Sequence, residues 1–389
     1  MIVTMQPGIQ PTDPRVLAVV NKAEKGYGLR TKVNTARGTN LDVVEIYLLD
    51  GPKVTSAAVP DFPFRVEDGV SEVRRVTPSK VSIHFNGSTE PHRFKIGGIE
   101  IGEGHPCRLV SGPCTIDRNV FTIAKTVREA GATMLRGGWF KPRTDATSFC
   151  GFGPIAIDWL FQAAAENDFK AVFTEVFESS DLDLVRKSRE KSGFKGGVVC
   201  WVGARTENLK LLKALGHQHD LKIMLKHSHR QGTTIADLVT RASFVLSGNI
   251  AYGEDGQMDK EASTKAPNQK IIFCLRGTAH DDKYLTWRFL PNHHWITSLR
   301  RQFWPPVAVD TSHSAGTMKN NLVLQNTQAA LEYCPDLLMV EGGYPTAGFP
   351  GTNGHGFCDA EQQVPAERYS ELVHMIKSHN KKHFGKDIC

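Results

Sequence analysis

Eight short apolar runs, each ending in polar or ionisable residues, constrain this chain more than any other feature. In order they read RLVSGPC, ATMLRGG, KAVFTEV, GGVVCWVGAR, LKIMLKH, KIIFCLRG, PPVAVDTSH and DLLMVEGG, beginning at Arg108. Between most of them apolar residues recur three and four apart, as in VFTIAKTVREAG, IAIDWLFQAAAEND, LDLVRKSREKSG and TIADLVTRASFVL. That spacing is the signature of amphipathic helices. Strands that are apolar almost throughout, rather than at alternate positions, belong to a parallel sheet covered on both faces. Eight such units predict an α/β protein built on a (β/α)8 TIM barrel.

A barrel of this kind takes roughly 250 to 280 residues, so a chain of 389 residues carries a second module. The N-terminal stretch supplies it. MIVTM reads as a strand, and Pro14 opens a helix with Val16, Val19 and Val20 on one face. LRTKVNT, VVEIYLLD and VSEVRRVTP read as further strands. Strand, helix, strand, strand and a later strand predict a ferredoxin-like α+β domain. The expected division is 1–85 for this domain, 86–104 for a linker and two-strand flap, and 105–389 for the barrel. The polar stretch 248–269 reads as a long exposed loop, of the kind that is often functional.

Composition excludes several classes. The net charge of +6 is spread along the chain rather than gathered into basic runs with interleaved aromatics, which argues against nucleic acid and suits a small anionic substrate. The densest basic cluster, KSHNKKH at 377–383, reads as a solvated helix face. No apolar run approaches the roughly 20 residues of a membrane span, and MIVTMQPGIQP lacks the pattern of a secretory leader. The eight cysteines form no CxxC pair, so a disulfide framework or zinc ribbon is not expected. Cys200 and Cys274, inside apolar strands, read as buried thiols, and the cytoplasm is the expected compartment.

In a barrel of this type the active site forms at the C-terminal ends of the strands. Those ends carry Cys114, Arg136, Glu175, Arg205, Lys226, Arg276, Asp310 with His313, and Glu341. So many ionisable groups in one mouth would repel or desolvate one another unless a ligand balanced them. Arg136, Arg205, Lys226 and Arg276, joined by Lys141 and Arg143 in the next loop, form a cationic set suited to phosphate and carboxylate. Cys114, His313 and Glu341 offer a thiolate, an imidazole and a carboxylate, a donor set suited to a divalent transition metal. Each residue alone has a plainer reading as a salt bridge, buried thiol or core imidazole; the joint pattern carries the functional one.

These residues stand in stretches that resemble a known family. GPCTID at Gly112, LRGGWFKPRT at Leu135, TEV at Thr174, VGAR at Val202, LK at Leu225, LRG at Leu275, VDTSH at Val309 and VEGG at Val340 occur in family order. They resemble the type I 3-deoxy-D-arabino-heptulosonate 7-phosphate (DAHP) synthases, in the subgroup with an N-terminal ferredoxin-like domain. KPRT is the most specific motif, and the resemblance covers nearly the whole chain. It implies condensation of phosphoenolpyruvate with erythrose 4-phosphate, the entry to the shikimate pathway. It also implies a divalent metal, Mn²⁺ first and Co²⁺, Fe²⁺ or Zn²⁺ as alternatives.

Position by position, the resemblance implies metal ligation by Cys114, His313, Glu341 and Asp359. It implies phosphoenolpyruvate binding by Arg136, Lys141, Arg205, Lys226 and Arg276, and contacts from Arg143 and Thr144 to the aldehyde's phosphate. Asp310 would sit beside the aldehyde, and Lys141 would handle a proton. An N-terminal regulatory domain answering to an aromatic amino acid, and a homotetramer, are implied too. The sequence departs from the family after Lys226, where HSHRQGTT stands, and after LRG, where TAHDDKYLTWRFLPNHHW stands. Both departures point to an altered acceptor end, so a paralogue using another sugar-phosphate or amino-sugar-phosphate aldehyde is the alternative. His227, His229, His293 and His294 also admit a second metal site. An octulosonate 8-phosphate synthase or a sialic-acid-type synthase is disfavoured by KPRT. A non-catalytic anion-binding regulatory protein is disfavoured by the Cys/His/Glu set, which phosphate binding alone does not need.

Overall fold

A computed structural model describes residues 1–38, 41–56, 59–75, 93–142, 147, 149–247, 251–256, 258–259, 267–282, 285–315, 322–343 and 362–389. The chain divides into Met1–Asn86 with Leu246–Pro267, and Gly87–Val245 with Asn268–Cys389.

The first unit follows from its local sequence. It runs β1 (Ile2–Met5), α1 (Pro14–Asn21), β2 (Arg30–Arg37), β3 (Asp42–Leu49), α2 (Phe62–Arg65) and β4 (Val70–Arg74). Asp13 caps α1 by accepting the backbone N–H of Arg15 at 2.9 Å, and Pro14 occupies the first turn, where its missing N–H costs nothing. Val44, Ile46 and Leu48 are buried at alternate positions of β3, the pattern of a sheet with one covered face. The sheet order is β2-β3-β1-β4, antiparallel throughout. This is the ferredoxin-like α+β arrangement. Val16 and Val19 of α1 join Val3, Met5 and Phe64 in its core.

The second unit opens with a hairpin, β5 (Arg93–Ile96) and β6 (Ile99–Gly102), and then builds the barrel. In chain order the elements are β7 (Arg108–Gly112), α3 (Val120–Ala130), β8 (Met134–Gly137), α4 (Pro154–Glu166), β9 (Ala171–Val176), α5 (Asp181–Ser192), β10 (Gly197–Val202), α6 (Leu209–Leu215), β11 (Lys222–Lys226) and α7 (Ile235–Leu246). After the short pair β12 (Ala251–Tyr252) and β13 (Met258–Asp259) come β14 (Ile271–Leu275), α8 (Trp295–Gln302), β15 (Val307–Asp310), α9 (Thr311–Ser314), α10 (Val323–Leu331), β16 (Leu337–Glu341) and α11 (Tyr369–Phe384). Eight parallel strands close in the order β7-β8-β9-β10-β11-β14-β15-β16. The eight runs read as strands are these eight. Every residue of β10, β14 and β16 is buried, as both-face coverage requires.

The β5–β6 hairpin shares the barrel's interior core. Ile96 and Ile101 are fully buried with Val110, Phe173, Trp201, Met224 and Met339. Its turn approaches the start of β9 so closely that a Cβ on Gly97 would lie 1.6 Å from the Lys170 carbonyl oxygen. The backbone there also has φ +56°, which favours glycine.

Two sequence readings are corrected. The stretch 248–269, read as an exposed loop, is not loop throughout: it contains the antiparallel pair β12–β13, and residues 246–267 group with the first unit. Tyr252 stacks edge-on against Phe62 there, 5.6 Å between ring centres. The cluster KSHNKKH is not wholly solvated: Asn380 of α11 is fully buried. Its side chain accepts the Cys107 N–H at 2.9 Å and donates to the Cys107 carbonyl at 2.8 Å. Among the described residues, no helix is long and apolar enough to cross a membrane.

Candidate active site

Side chains of a strand alternate between faces, so the inward core residues fix which strand-end groups enter the mouth. Met134, Phe173, Met224, Cys274, Ala308 and Met339 belong to the interior core. Two residues further along the same strands stand Arg136, Glu175, Lys226, Arg276, Asp310 and Glu341. The alternation therefore turns all six inward, above the apolar layer. On β10 the inward pair is Val199 and Trp201, and the next inward position is Gly203. A Cβ at Gly203 would lie 2.0 Å from a Glu175 carboxylate oxygen, so this glycine makes room for that acid.

The groups form a connected charge network. Arg136 Nη1 lies 3.2 Å from Glu341 Oε1, both side chains almost wholly buried. Lys226 Nζ donates to Asp310 Oδ2 at 2.6 Å. Trp201 lies beneath both cations, with the Arg136 guanidinium 5.0 Å and the Lys226 ammonium 4.9 Å from its ring centre. Such cation–π contacts strengthen when desolvated. Asp310 also caps α9, accepting the His313 backbone N–H at 3.3 Å, and its Oδ2 lies 2.8 Å from His313 Nδ1. That last contact is at ion-pair distance without hydrogen-bond alignment. Ser312 Oγ accepts the Glu341 N–H at 2.8 Å and ties β16 to α9. Lys141 Nζ sits 2.6 Å from Cys114 Sγ, placing an ammonium where it favours the thiolate.

The cleft is lined by Cys114, Arg136, Lys141, Trp201, Arg205, Lys226, Arg276, Arg288 and His313, among others, and holds about 590 Å³ of space with its open mouth included. Burial would raise the Asp310 carboxyl, but the charge of His313 where that ring is protonated, and that of Lys226 throughout, hold it well below the usual range. Burial pushes His313 down to about 3, so its ring is neutral and available as a ligand. Burial also lowers Arg276 to about 10 and raises Glu175. For Arg136 burial works against the charge, and the Glu341 and Cys114 charges outweigh it. Away from the mouth, burial pushes the Cys200 and Cys274 thiols up to about 12.

Of the residues named from sequence, Cys114, Arg136, Lys141, Arg205, Lys226, Arg276 and His313 line this one cleft, and Asp310 and Glu341 contact them. Arg143, Thr144 and Asp359 lie outside the described residues. Sequence reasoning missed Trp201, which reads as core inside an apolar run, and Arg288, which comes from the non-repetitive segment after β14. Arg288 donates to Gln362 at 2.9 Å, and Arg276 and Arg288 lie 4.5 and 5.4 Å from the Phe289 ring centre. The four extra histidines serve packing and hydrogen bonding. His227 Nε2 is 3.1 Å from the Thr234 carbonyl, His293 Nε2 is 2.8 Å from Asn326 Oδ1, and the rings of His229 and His294 meet Phe289 and Trp295.

Cys114, His313 and Glu341 each offer one ligand atom, and these atoms lie within 4.8 Å of one another. A divalent ion binds such donors at about 2.0–2.3 Å, so small side-chain movements close the set around one ion. Lys141 and Arg136 already compensate its two anionic members. The donor set therefore fits a d-block metal.

The sequence model of the DAHP synthetase I family matches residues 78–355. The chain is 26% identical over 380 residues to a phospho-2-dehydro-3-deoxyheptonate aldolase of Thermotoga maritima, spanning 97% of each protein. A crystal structure of that organism's phospho-2-dehydro-3-deoxyheptonate aldolase (DAHP synthase) superposes with a TM-score of 0.69 at 25% identity, over 100% of this chain and 99% of the other. A truncated form of the Thermotoga maritima synthase superposes at 0.60 with 22% identity, over 79% of this chain and 98% of the other. The latter likeness speaks to the fold alone.

Proposed function

We propose that this chain, which belongs to the DAHP synthetase I family, condenses phosphoenolpyruvate, erythrose 4-phosphate and water to DAHP and inorganic phosphate. The observation that carries the reading is one cleft in which buried Arg136, Lys226 and Arg276 share walls with Cys114 and His313. A ligand with several negative charges would balance the cations, and a carbonyl compound would use the metal.

Each role follows from position. Arg136, Arg205, Lys226 and Arg276, with Lys141, bind the phosphate and carboxylate of phosphoenolpyruvate through paired, charge-assisted hydrogen bonds. Trp201 holds Arg136 and Lys226 in place from below, so little reorganisation accompanies binding. Cys114, His313, Glu341 and Asp359 would hold the metal, Mn²⁺ by preference and Co²⁺, Fe²⁺ or Zn²⁺ otherwise. When bound, the ion supplies Lewis-acid polarisation of the aldehyde carbonyl. Asp310, fixed by Lys226 and the start of α9, orients the aldehyde. Arg143 and Thr144 take its phosphate. Lys141 carries a proton between the cleft and the new hydroxyl. The enol carbon forms the new bond to the aldehyde carbon, water adds at the carbon bearing phosphate, and that carbon–oxygen bond breaks.

The same reading takes 1–85 as a regulatory domain with an aromatic amino acid as effector, 86–104 as linker and flap, and 105–389 as the catalytic barrel. It takes the working form as a cytoplasmic homotetramer without nucleic-acid or membrane partners. A second reading keeps the phosphoenolpyruvate half and changes the aldehyde. It rests on Arg288 and Phe289, which enter the cleft region from the segment that departs from the family pattern.

One experiment separates the readings. Purified protein with Mn²⁺ and phosphoenolpyruvate is offered erythrose 4-phosphate, arabinose 5-phosphate and an amino-sugar phosphate in turn, with released phosphate and product mass recorded. A seven-carbon acid phosphate from erythrose 4-phosphate is expected. Turnover with another aldehyde alone selects the second reading, and no phosphate release with any aldehyde ends the catalytic one.

A further inference from the structure

The basic cluster near the C-terminus holds a second set of metal donors that the proposed reaction does not use. His379 and His383 stand one turn apart on α11, a spacing that places both on one helix face. Their ring centres are 4.5 Å apart. Facing them is Cys334, in the turn between α10 and β16. One ligand atom from each of the three residues lies within 4.8 Å of the others.

Two further observations point to a ligand. His379 Nε2 is buried and has no hydrogen-bond partner, and a buried polar atom left unmatched costs stability. Cys334 occupies a left-handed position, φ +52°, just past α10, where glycine or asparagine is the usual choice. The scaffold is also fixed. Asn380, between the two histidines, anchors α11 through both of its hydrogen bonds to Cys107. Pre-set donors on rigid elements are what a metal site requires.

We propose that Cys334, His379 and His383 form a second divalent-metal site, selective for Zn²⁺. A thiolate with two imidazoles is softer than the mouth's set, which includes a carboxylate, and therefore favours zinc over manganese. Tetrahedral zinc needs its donors roughly 3.3–3.6 Å apart, within reach of a small rotation from the present spacing. A solvent or added ligand completes the fourth position. The site lies at the opposite end of the barrel from Cys114, because Cys334 precedes β16 whereas Cys114 follows β7. That end of the fold serves stability rather than chemistry. The zinc would fasten the last helix to the α10–β16 turn.

The test uses the full-length Cys114→Ala protein, so that the mouth no longer contributes a thiolate. After chelation and gel filtration it is titrated with Co²⁺, and separately with Zn²⁺. We expect one tightly bound equivalent and a thiolate-to-cobalt charge-transfer band. Adding Cys334→Ser should abolish the band, and adding His383→Ala, at an exposed position, should weaken binding at least about tenfold. Zinc should raise the melting temperature of the Cys114→Ala protein but not that of its His383→Ala derivative. Absence of a stoichiometric equivalent in Cys114→Ala overturns the site, as does a band that survives Cys334→Ser. Neither result bears on turnover of the unaltered enzyme, so this proposal and the DAHP synthase reading fail separately.

Discussion

The two ends of the barrel are built from the same strands and carry opposite chemistry. At the N-terminal end the inward layer is apolar: Val110, Phe173, Met224 and Met339 pack with Ile96 and Ile101 of the β5–β6 hairpin. Two residues further along, the inward layer is Arg136, Glu175, Lys226, Arg276, Asp310 and Glu341, all strongly buried or paired. The lower layer stabilises by removing apolar surface from water, at roughly 25 cal/mol per Å². The upper layer pays desolvation for every charge and recovers it only through partners. A fold under selection for stability alone gains little from the second arrangement. The contrast teaches that the plugged end favours persistence, whereas the proposed site carries a desolvation cost that a bound anion would offset.

The largest effect expected from this contrast is on turnover. Cys114→Ala should lower kcat about a thousandfold or more, on the scale seen when a preorganised electrostatic group is lost, with thermal unfolding nearly unchanged. A Cys114→Ala protein that turns over normally under chelator would break the assignment of the mouth. The mirror experiment is Ile101→Ala in the plug. It should cost about 2–4 kcal/mol of stability in denaturant titration, while kcat per folded molecule stays the same. Loss of activity without loss of stability there would erase the division between the ends.

Trp201 joins the two layers. Trp201→Leu keeps an apolar side chain but removes the π-face under Arg136 and Lys226. It should raise KM for phosphoenolpyruvate roughly tenfold, the worth of one or two desolvated cation–π contacts, with a smaller change in kcat. The smallest effect is on pH. His313 is held at about 3 by burial, whereas an unfolded imidazole titrates near about 6.5. As pH falls below that value the unfolded chain takes up a proton that the native chain refuses, so stability falls. In chelated protein the loss from pH 7 to 5.5 should be on the order of 1 kcal/mol. His313→Asn should flatten that slope. Asp310, whose carboxyl is depressed in the fold, adds its own loss as pH falls through the carboxylate range, about 4 and below. An unchanged slope in His313→Asn would show that another group governs acid lability.

The barrel was legible because parallel strands covered on both faces leave unbroken apolar runs, and each run here is closed by a distinct polar residue. The convergence of the strand-end residues on one cleft was legible because the fold places strand ends together. Their inward direction required register, which only the core partners two residues earlier provide. Trp201 stayed hidden because an inward tryptophan inside GVVCWV looks like any core residue. Arg288 stayed hidden because 278–294 has no period. The pairing of Ala251–Tyr252 with Met258–Asp259 is too short to leave a pattern. Asn380 looked solvated because its partner, Cys107, is 273 residues away. Long-range pairing is what local pattern reading omits.

The most direct measurement is a crystal structure of the protein soaked with Mn²⁺ and phosphoenolpyruvate. The anomalous signal of manganese should fall between Cys114 Sγ, the His313 ring and the Glu341 carboxylate, with the phosphate and carboxylate of the ligand on Arg136, Lys226 and Arg276. Manganese density elsewhere, or a ligand bound away from those three cations, would contradict the account.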